Sequence, residues 1–261
     1  MGEGVQREDW DRFHEPPARR KKPERVRPVD WPHSDRLLRR HRPKGPACSV
    51  LEVGSAPGRY LLYFAEEFGC EVAGIDYSPQ GHENTLQNMD LAGIKANILY
   101  GDFFAWPLPA SSFDVVFSTG FIEHFEDRRR VLRRMDEVLR PGGLMVTLWP
   151  NLFGINGWIF RHCSAKVRLK HYVFAAEEIA AMLRAMGYGI LYRGPLDGPW
   201  FMDPLPPRGW GGQHPTARRV LVAPMMLFNR LSCWVNRRLG WLPESELWSK
   251  QQGVLARKAS R

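Results

Sequence analysis

A short apolar run, Val50-Leu51-Glu52-Val53, enters Gly54-Ser55-Ala56-Pro57-Gly58 and passes directly into the amphipathic stretch that begins Arg59-Tyr60-Leu61. No other feature of the chain restricts its fold as much. A buried strand, a glycine-punctuated reversal and a helix in immediate succession open an α/β unit, and the helix N-terminus presents unpaired N–H groups to whatever occupies the turn. Glycine at 54 and 58 permits the reversal and lets a ligand come close to the backbone. The spacing is not G-x-G-x-x-G, which disfavours a dinucleotide, whose pyrophosphate must lie against three glycines. A ligand carrying an adenosine and a carboxylate suits the turn better.

The alternation continues. Asp76 lies eighteen residues beyond Gly58, at the end of a second apolar strand, Val72-Ala73-Gly74-Ile75, where a doubly wound fold places the acid that binds ribose hydroxyls. Asn97-Ile98-Leu99-Tyr100 predicts a third strand, followed by Gly101-Asp102-Phe103-Phe104, a carboxylate and an aromatic edge able to bracket an adenine. A fourth strand, Phe113 to Ser118, precedes a helix whose apolar positions are Val131, Leu132, Met135, Val138 and Leu139. A fifth, Leu144 to Trp149, is entered through Pro141-Gly142-Gly143. A helix from Ala175 to Met186, stopped by Gly187, feeds a strand from Tyr188 to Tyr192.

These segments resemble the class I S-adenosylmethionine-dependent methyltransferases, in particular the branch that acts on small molecules, lipids and glycans. Four ordered motifs over roughly residues 48 to 193 carry the resemblance: LEVGSAPG, GIDYSP, the block GDFFAWPLPASSFDVVFS with its continuation FIEHF, and LRPGGLMVTLW. The fold it implies is a Rossmann-like, doubly wound seven-stranded sheet, mostly parallel with a last antiparallel strand and helices on both faces. Gly253-Val254-Leu255-Ala256-Arg257 resembles that last strand. The implied cofactor is S-adenosyl-L-methionine. The resemblance assigns its methionine end to Glu52, Gly54, Ser55, Ala56, Pro57 and Gly58, its ribose to Asp76 with Tyr77, and its adenine to Asp102 with Phe103. The end of the fourth strand, Ser118, Thr119 and Gly120, completes the set.

The chain departs from the family at Ala56, where glycine is usual, and the added methyl is expected to weaken or shift cofactor binding. Chemistry follows from the cofactor: its sulfonium is an activated leaving group, so the protein must chiefly align a nucleophile and exclude water. If the acceptor is a hydroxyl it must lose a proton. His124, just after the fourth strand, is the candidate general base, and Glu123 a weaker one; the alternative is that His124 only lines the cofactor pocket. His162 and His171 fall in the insertion after the fifth strand, where they contact substrate or sit at the surface. That insertion, residues 150–174, is rich in aromatic residues and lies beyond the carboxyl ends of the strands, the place for a substrate lid; the Pro-, Gly- and Trp-rich segment 200–212 is expected to join it.

The organisation expected is a basic, flexible N-terminal arm (1–46), the cofactor-binding core (47–193), a Pro/Trp-rich loop with an Arg-rich amphipathic helix (194–250), and a final strand and tail (251–261). The formal net charge is +9. The arm holds thirteen Lys or Arg against eight Asp or Glu, which suits a solvated tail or contact with anionic lipid or nucleic acid. Between Asp203 and Glu244 no acidic residue occurs, while Arg208, Arg218, Arg219, Arg230, Arg237 and Arg238 fall among Val220, Leu221, Val222, Met225, Met226, Leu227, Phe228, Leu231, Trp234, Val235 and Leu239 at approximately helical spacing, interrupted by Pro224. The uncharged run from Val220 to Asn229 is too short for the roughly twenty residues that span a bilayer. What remains is a helix lying in an anionic membrane interface, or one packed on the core or on a second copy in a homodimer. The four cysteines, at 48, 70, 163 and 233, show neither zinc-site spacing nor a disulfide framework, so no metal is expected and a reducing compartment is. The N-terminus lacks an apolar signal segment. Together these features suggest a cytoplasmic protein, peripheral on the inner face of a membrane.

The function expected is methyl transfer to a small-molecule or lipid-linked acceptor. An RNA methyltransferase is the alternative suggested by charge and by the Gly-Ser-Ala-Pro-Gly turn, but the catalytic Lys-Asp-Lys-Glu set of ribose-methylating enzymes is absent, as is an Asn-Pro-Pro-Tyr element, which makes nucleic acid the less favoured partner. A non-catalytic cofactor-binding protein is a third reading.

Overall fold

The computed structural model describes residue 10 and residues 21–43, 48–163, 171–201, 215–239 and 243–260. Its elements run α1 (Pro32–His41), β1 (Ser49–Val53), α2 (Arg59–Phe68), β2 (Glu71–Asp76), α3 (Pro79–Ala92), β3 (Ala96–Tyr100), β4 (Phe113–Thr119), α4 (Arg128–Val138), β5 (Leu139–Pro150), α5 (Gly154–Cys163), α6 (Ala176–Ala185), β6 (Gly189–Leu196), α7 (Pro215–Leu239) and β7 (Gln251–Arg257). Seven strands form one sheet in the order β3-β2-β1-β4-β5-β7-β6. Pairings from β3 through β5 are parallel, and β7 is antiparallel to both β5 and β6. The chain steps outward from β1 to β3, then returns to place β4 on the other side of β1. The topological switch point, where ligands of doubly wound sheets bind, therefore lies between β1 and β4.

Alternation along the strands divides the core. Leu51, Val53, Ile75, Val116, Met145 and Val254 face α4 and α6, meeting Val131, Leu132, Met135, Ile179 and Leu183. Val50, Val72, Val115, Phe117, Val146 and Leu255 face the other side, against Leu61, Leu62 and Phe64 of α2. Helix ends follow local chemistry: Ser78 caps α3 by accepting from the Gly81 amide, Asp127 caps α4 by accepting from Arg130, and Gly69 and Gly93 stop α2 and α3 in left-handed conformations.

The expectation of a flexible arm over residues 1–46 is corrected for residues 21–43. Trp31 is fully buried, edge-on to Tyr60 and Tyr63 at 4.8 and 4.7 Å. Asp197 binds the start of α1, accepting from the amides of His33 and Ser34 and from the Ser34 hydroxyl, while Gln251 of β7 donates to the same carboxylate. The basic charge of this segment sits on one side of a helix whose other side joins the core, a distinction composition does not carry. Apart from Trp10, the arm before residue 21, including Arg19 and Arg20, lies outside the described residues, as does most of the segment 200–212.

Among the described residues no helix is long and apolar enough to cross a membrane. Helix α7 contains Pro224 without ending there. Among the described residues its buried positions are Val222, Asn229 and Ser232, and the Asn229 amide both accepts from and donates to the backbone of Phe201. Val220, Leu227, Leu231 and Trp234 are 54% to 68% exposed. At 100° per residue these four fall on one face, so the helix turns its apolar stripe outward.

Candidate active site

The expected cofactor residues lie at the carboxyl ends of β1, β2, β3 and β4, four neighbouring strands. Gly54 and Gly58 have φ of +71° and +82°, so both require the left-handed freedom of glycine. A side chain at Gly54 would also meet Phe121, 3.2 Å from the Cβ position. The turn is held from within: the Gly54 and Ser55 amides donate to Ile75 O at 2.9 and 3.3 Å, and Gly58 N to Ser55 O at 2.5 Å. Asp76 is buried and accepts from Ala56 N through one oxygen and Ser78 N through the other, both at 3.0 Å. Gly81 lets α3 approach: a Cβ there would stand 2.8 Å from Asp76 Oδ1 and 3.0 Å from the Ala56 methyl. The Ala56 methyl thus faces Gly81.

Among the described residues Glu52 Oε2 and Ser55 Oγ, both buried at this turn, have no hydrogen-bond partner. Desolvation drives the Glu52 carboxyl well above its usual range, opposed by Arg59 and reinforced by the nearby Asp76 charge. An unsatisfied buried acceptor beside a helix N-terminus fits a ligand that brings a donor, as the amino group of a methionine moiety would. Tyr77 is half-buried beside Asp76. Asp102 is half-buried and accepts from Phe104 N at 2.9 Å through one oxygen, leaving the other for a ligand. Phe103 is buried in the cluster beneath α4, under the Arg134 guanidinium, so its ring is committed to packing. Ser118 is buried and donates to Thr147 Oγ1; Thr119 and Gly120 are half-buried, and Gly120 N donates to Leu148 O.

Beyond β4 the chain makes a single 3₁₀ turn, Ile122–His124, that buries Glu123 and His124. His124 Nε2 stands 3.8 Å from Glu123 Oε1. Among the described residues neither carboxylate oxygen of Glu123 has a hydrogen-bond partner, and burial pushes this acid up to about 8. The Tyr172 amide donates to Glu123 O at 2.8 Å, which brings the His171 ring to 4.5 Å from that of His124. The Trp10 ring packs edge-on against His124 at 4.7 Å. The insertion after β5 forms α5, tied down by Asn151 donating to Glu246 O and Ser249 O, and by Asn156 donating to Trp200 O. The side chain of His162 lies outside the described residues. Phe121, Gly81 and the grouping of His171 with Glu123 were not legible from spacing, since each depends on a contact between separate elements.

A doubly wound sheet ending in an antiparallel strand, with a glycine turn after β1 and acids after β2 and β3, defines the class I S-adenosylmethionine-dependent methyltransferase fold. Residues 51–147 match the model of the methyltransferase domain family. It is 34% identical over 111 residues to the sarcosine/dimethylglycine N-methyltransferase of Halorhodospira halochloris, covering 42% of this chain and 40% of that protein. It is 31% identical over 101 residues to the 2-methyl-6-phytyl-1,4-hydroquinone methyltransferase of Synechocystis, covering 39% and 31%. The chain thus spans less than half the length of these curated relatives. Among solved structures, the phosphoethanolamine N-methyltransferase 2 of Haemonchus contortus, in complex with phosphomonomethylethanolamine and S-adenosylhomocysteine, superposes with a TM-score of 0.54 at 19% identity over 87% of this chain and 52% of that one. At that identity the likeness is one of fold.

Proposed function

We propose that this protein is an S-adenosylmethionine-dependent methyltransferase whose acceptor is a small molecule or a lipid-linked compound met at a membrane surface. The observation that carries the methyl-transfer reading is the turn at 54–58 with its unpartnered Glu52 and Ser55 atoms beside Asp76. Glu52 and Ser55 would meet the methionine end, Asp76 the ribose, and Asp102 the adenine. When bound, the cofactor would supply an activated methyl on a sulfonium, whose carbon–sulfur bond would break, its electron pair passing to sulfur, as the acceptor lone pair bonds to the methyl carbon. In this reading His124 would take the proton of a hydroxyl acceptor.

The relatives support the acceptor class, since one is named for sarcosine and another for a phytyl hydroquinone. The membrane part rests on the outward apolar stripe of α7, bordered by exposed Arg230 and Arg238. Isothermal titration with S-adenosylhomocysteine tests the central reading. Saturable one-to-one binding is expected; no binding would refute it.

A further inference from the structure

We propose that Glu123, His124 and His171 form a binding site for a single divalent transition-metal ion on the acceptor side of the crevice. One oxygen or ring nitrogen from each residue lies within 4.8 Å of the others. Two imidazoles and a carboxylate are a donor set suited to zinc or cobalt rather than to magnesium or calcium, which prefer all-oxygen cages. Donors about a tetrahedral ion with bonds of about 2.0–2.1 Å stand roughly 3.4 Å apart, so small side-chain rotations close the set.

The independent observation is Glu123 itself. It is 1% exposed, and among the described residues neither of its carboxylate oxygens has a hydrogen-bond partner. Buried acids without partners are destabilising, and one is retained when something absent from the polypeptide satisfies it. A cation held jointly by the two neighbouring histidines supplies that compensation, and Trp10 against His124 and Phe160 against His171 wall the cluster with aromatic rings. The elements holding the donors are fixed by backbone: a 3₁₀ turn presents Glu123 and His124, and the Tyr172 amide bound to Glu123 O sets His171. A Cβ on Gly120 would stand 3.7 Å from Glu123 Oε1, which puts the cluster against the end of β4 where the crevice opens.

Three protein donors leave the ion an open position, as in catalytic rather than structural sites. An acceptor oxygen or nitrogen bound there would be fixed in place, and a hydroxyl so bound would release its proton to solvent more readily. This use of the ion rests on the methyltransferase reading, whereas the site does not. A ring nitrogen that coordinates the ion has no lone pair left to accept a proton, so with metal bound His124 is a ligand and its coordinating nitrogen is not the base.

The test uses the full chain, freed of metal with a chelator and dialysed against Zn²⁺, with the metal counted by mass spectrometry and the Co²⁺ form examined for visible ligand-field absorption. About one ion per chain is expected, with affinity lowered about a hundredfold or more in Glu123→Gln and His171→Ala. Titration with S-adenosylhomocysteine is run on each protein, and retained binding shows that a variant is folded. Absence of stoichiometric metal in the wild-type chain, or full retention by folded His171→Ala, overturns the site. Metal binding without S-adenosylhomocysteine binding leaves the site standing and removes the methyltransferase reading.

Discussion

Asp76 accepts from two amides of the surrounding chain, so its carboxylate shapes the turn that it borders. Asp76→Ala strands the Ala56 and Ser78 donors and removes the ribose acceptor; S-adenosylhomocysteine affinity should fall about tenfold to a hundredfold in calorimetry, and an unchanged value counts against the assignment. Ala56 is expected from sequence to narrow the approach, yet its methyl faces Gly81. Ala56→Gly should accordingly leave affinity within about threefold while lowering stability by about 0.4–1 kcal/mol, because glycine frees the unfolded chain. Glu52 makes a prediction in pH. Its folded-state value is raised, so the native state holds a proton that the unfolded state has lost, and the stability linked to this group falls as pH rises above the usual 4.5. Glu52→Gln removes that dependence. In urea titrations the variant should gain on the wild type progressively above that pH, and a constant difference would show that Glu52 is not held neutral.

Helix α7 was legible as an amphipathic helix from its spacing, but not the direction its stripe faces. The usual rule turns apolar residues inward; here Asn229, bonded to the backbone of Phe201, faces in and the Val220, Leu227, Leu231, Trp234 face is exposed. Leu227→Asp with Leu231→Asp should abolish co-flotation with phosphatidylserine-containing vesicles and leave the wild-type melting temperature nearly unchanged. If the wild-type chain does not float but sediments as a dimer that this double substitution dissociates, the stripe is an interface between copies instead. The turn Ile122–His124 illustrates the opposite limit. Its sequence shows an acid and a histidine in succession, but not that neither oxygen of Glu123 finds a partner.

At the scale of the molecule, residues before β1 complete the core on one sheet face. Trp31→Ala removes a ring packed on Tyr60, Tyr63 and Phe117 and should lower stability by about 3–5 kcal/mol in urea denaturation; a loss below about 1 kcal/mol would mean that the segment is only loosely held. Strand–helix alternation and the acids at the ends of β2 and β3 were legible in sequence, because periodicity, glycine turns and strand-end positions are local properties written into neighbouring residues, whereas the antiparallel last strand was implied only by the resemblance. The packing of residues 21–43, the outward stripe of α7, the committed ring of Phe103 and the meeting of His171 with Glu123 were decided only by tertiary structure. Each depends on which surfaces of distant segments come together, and burial, unlike periodicity, is a property of the pair.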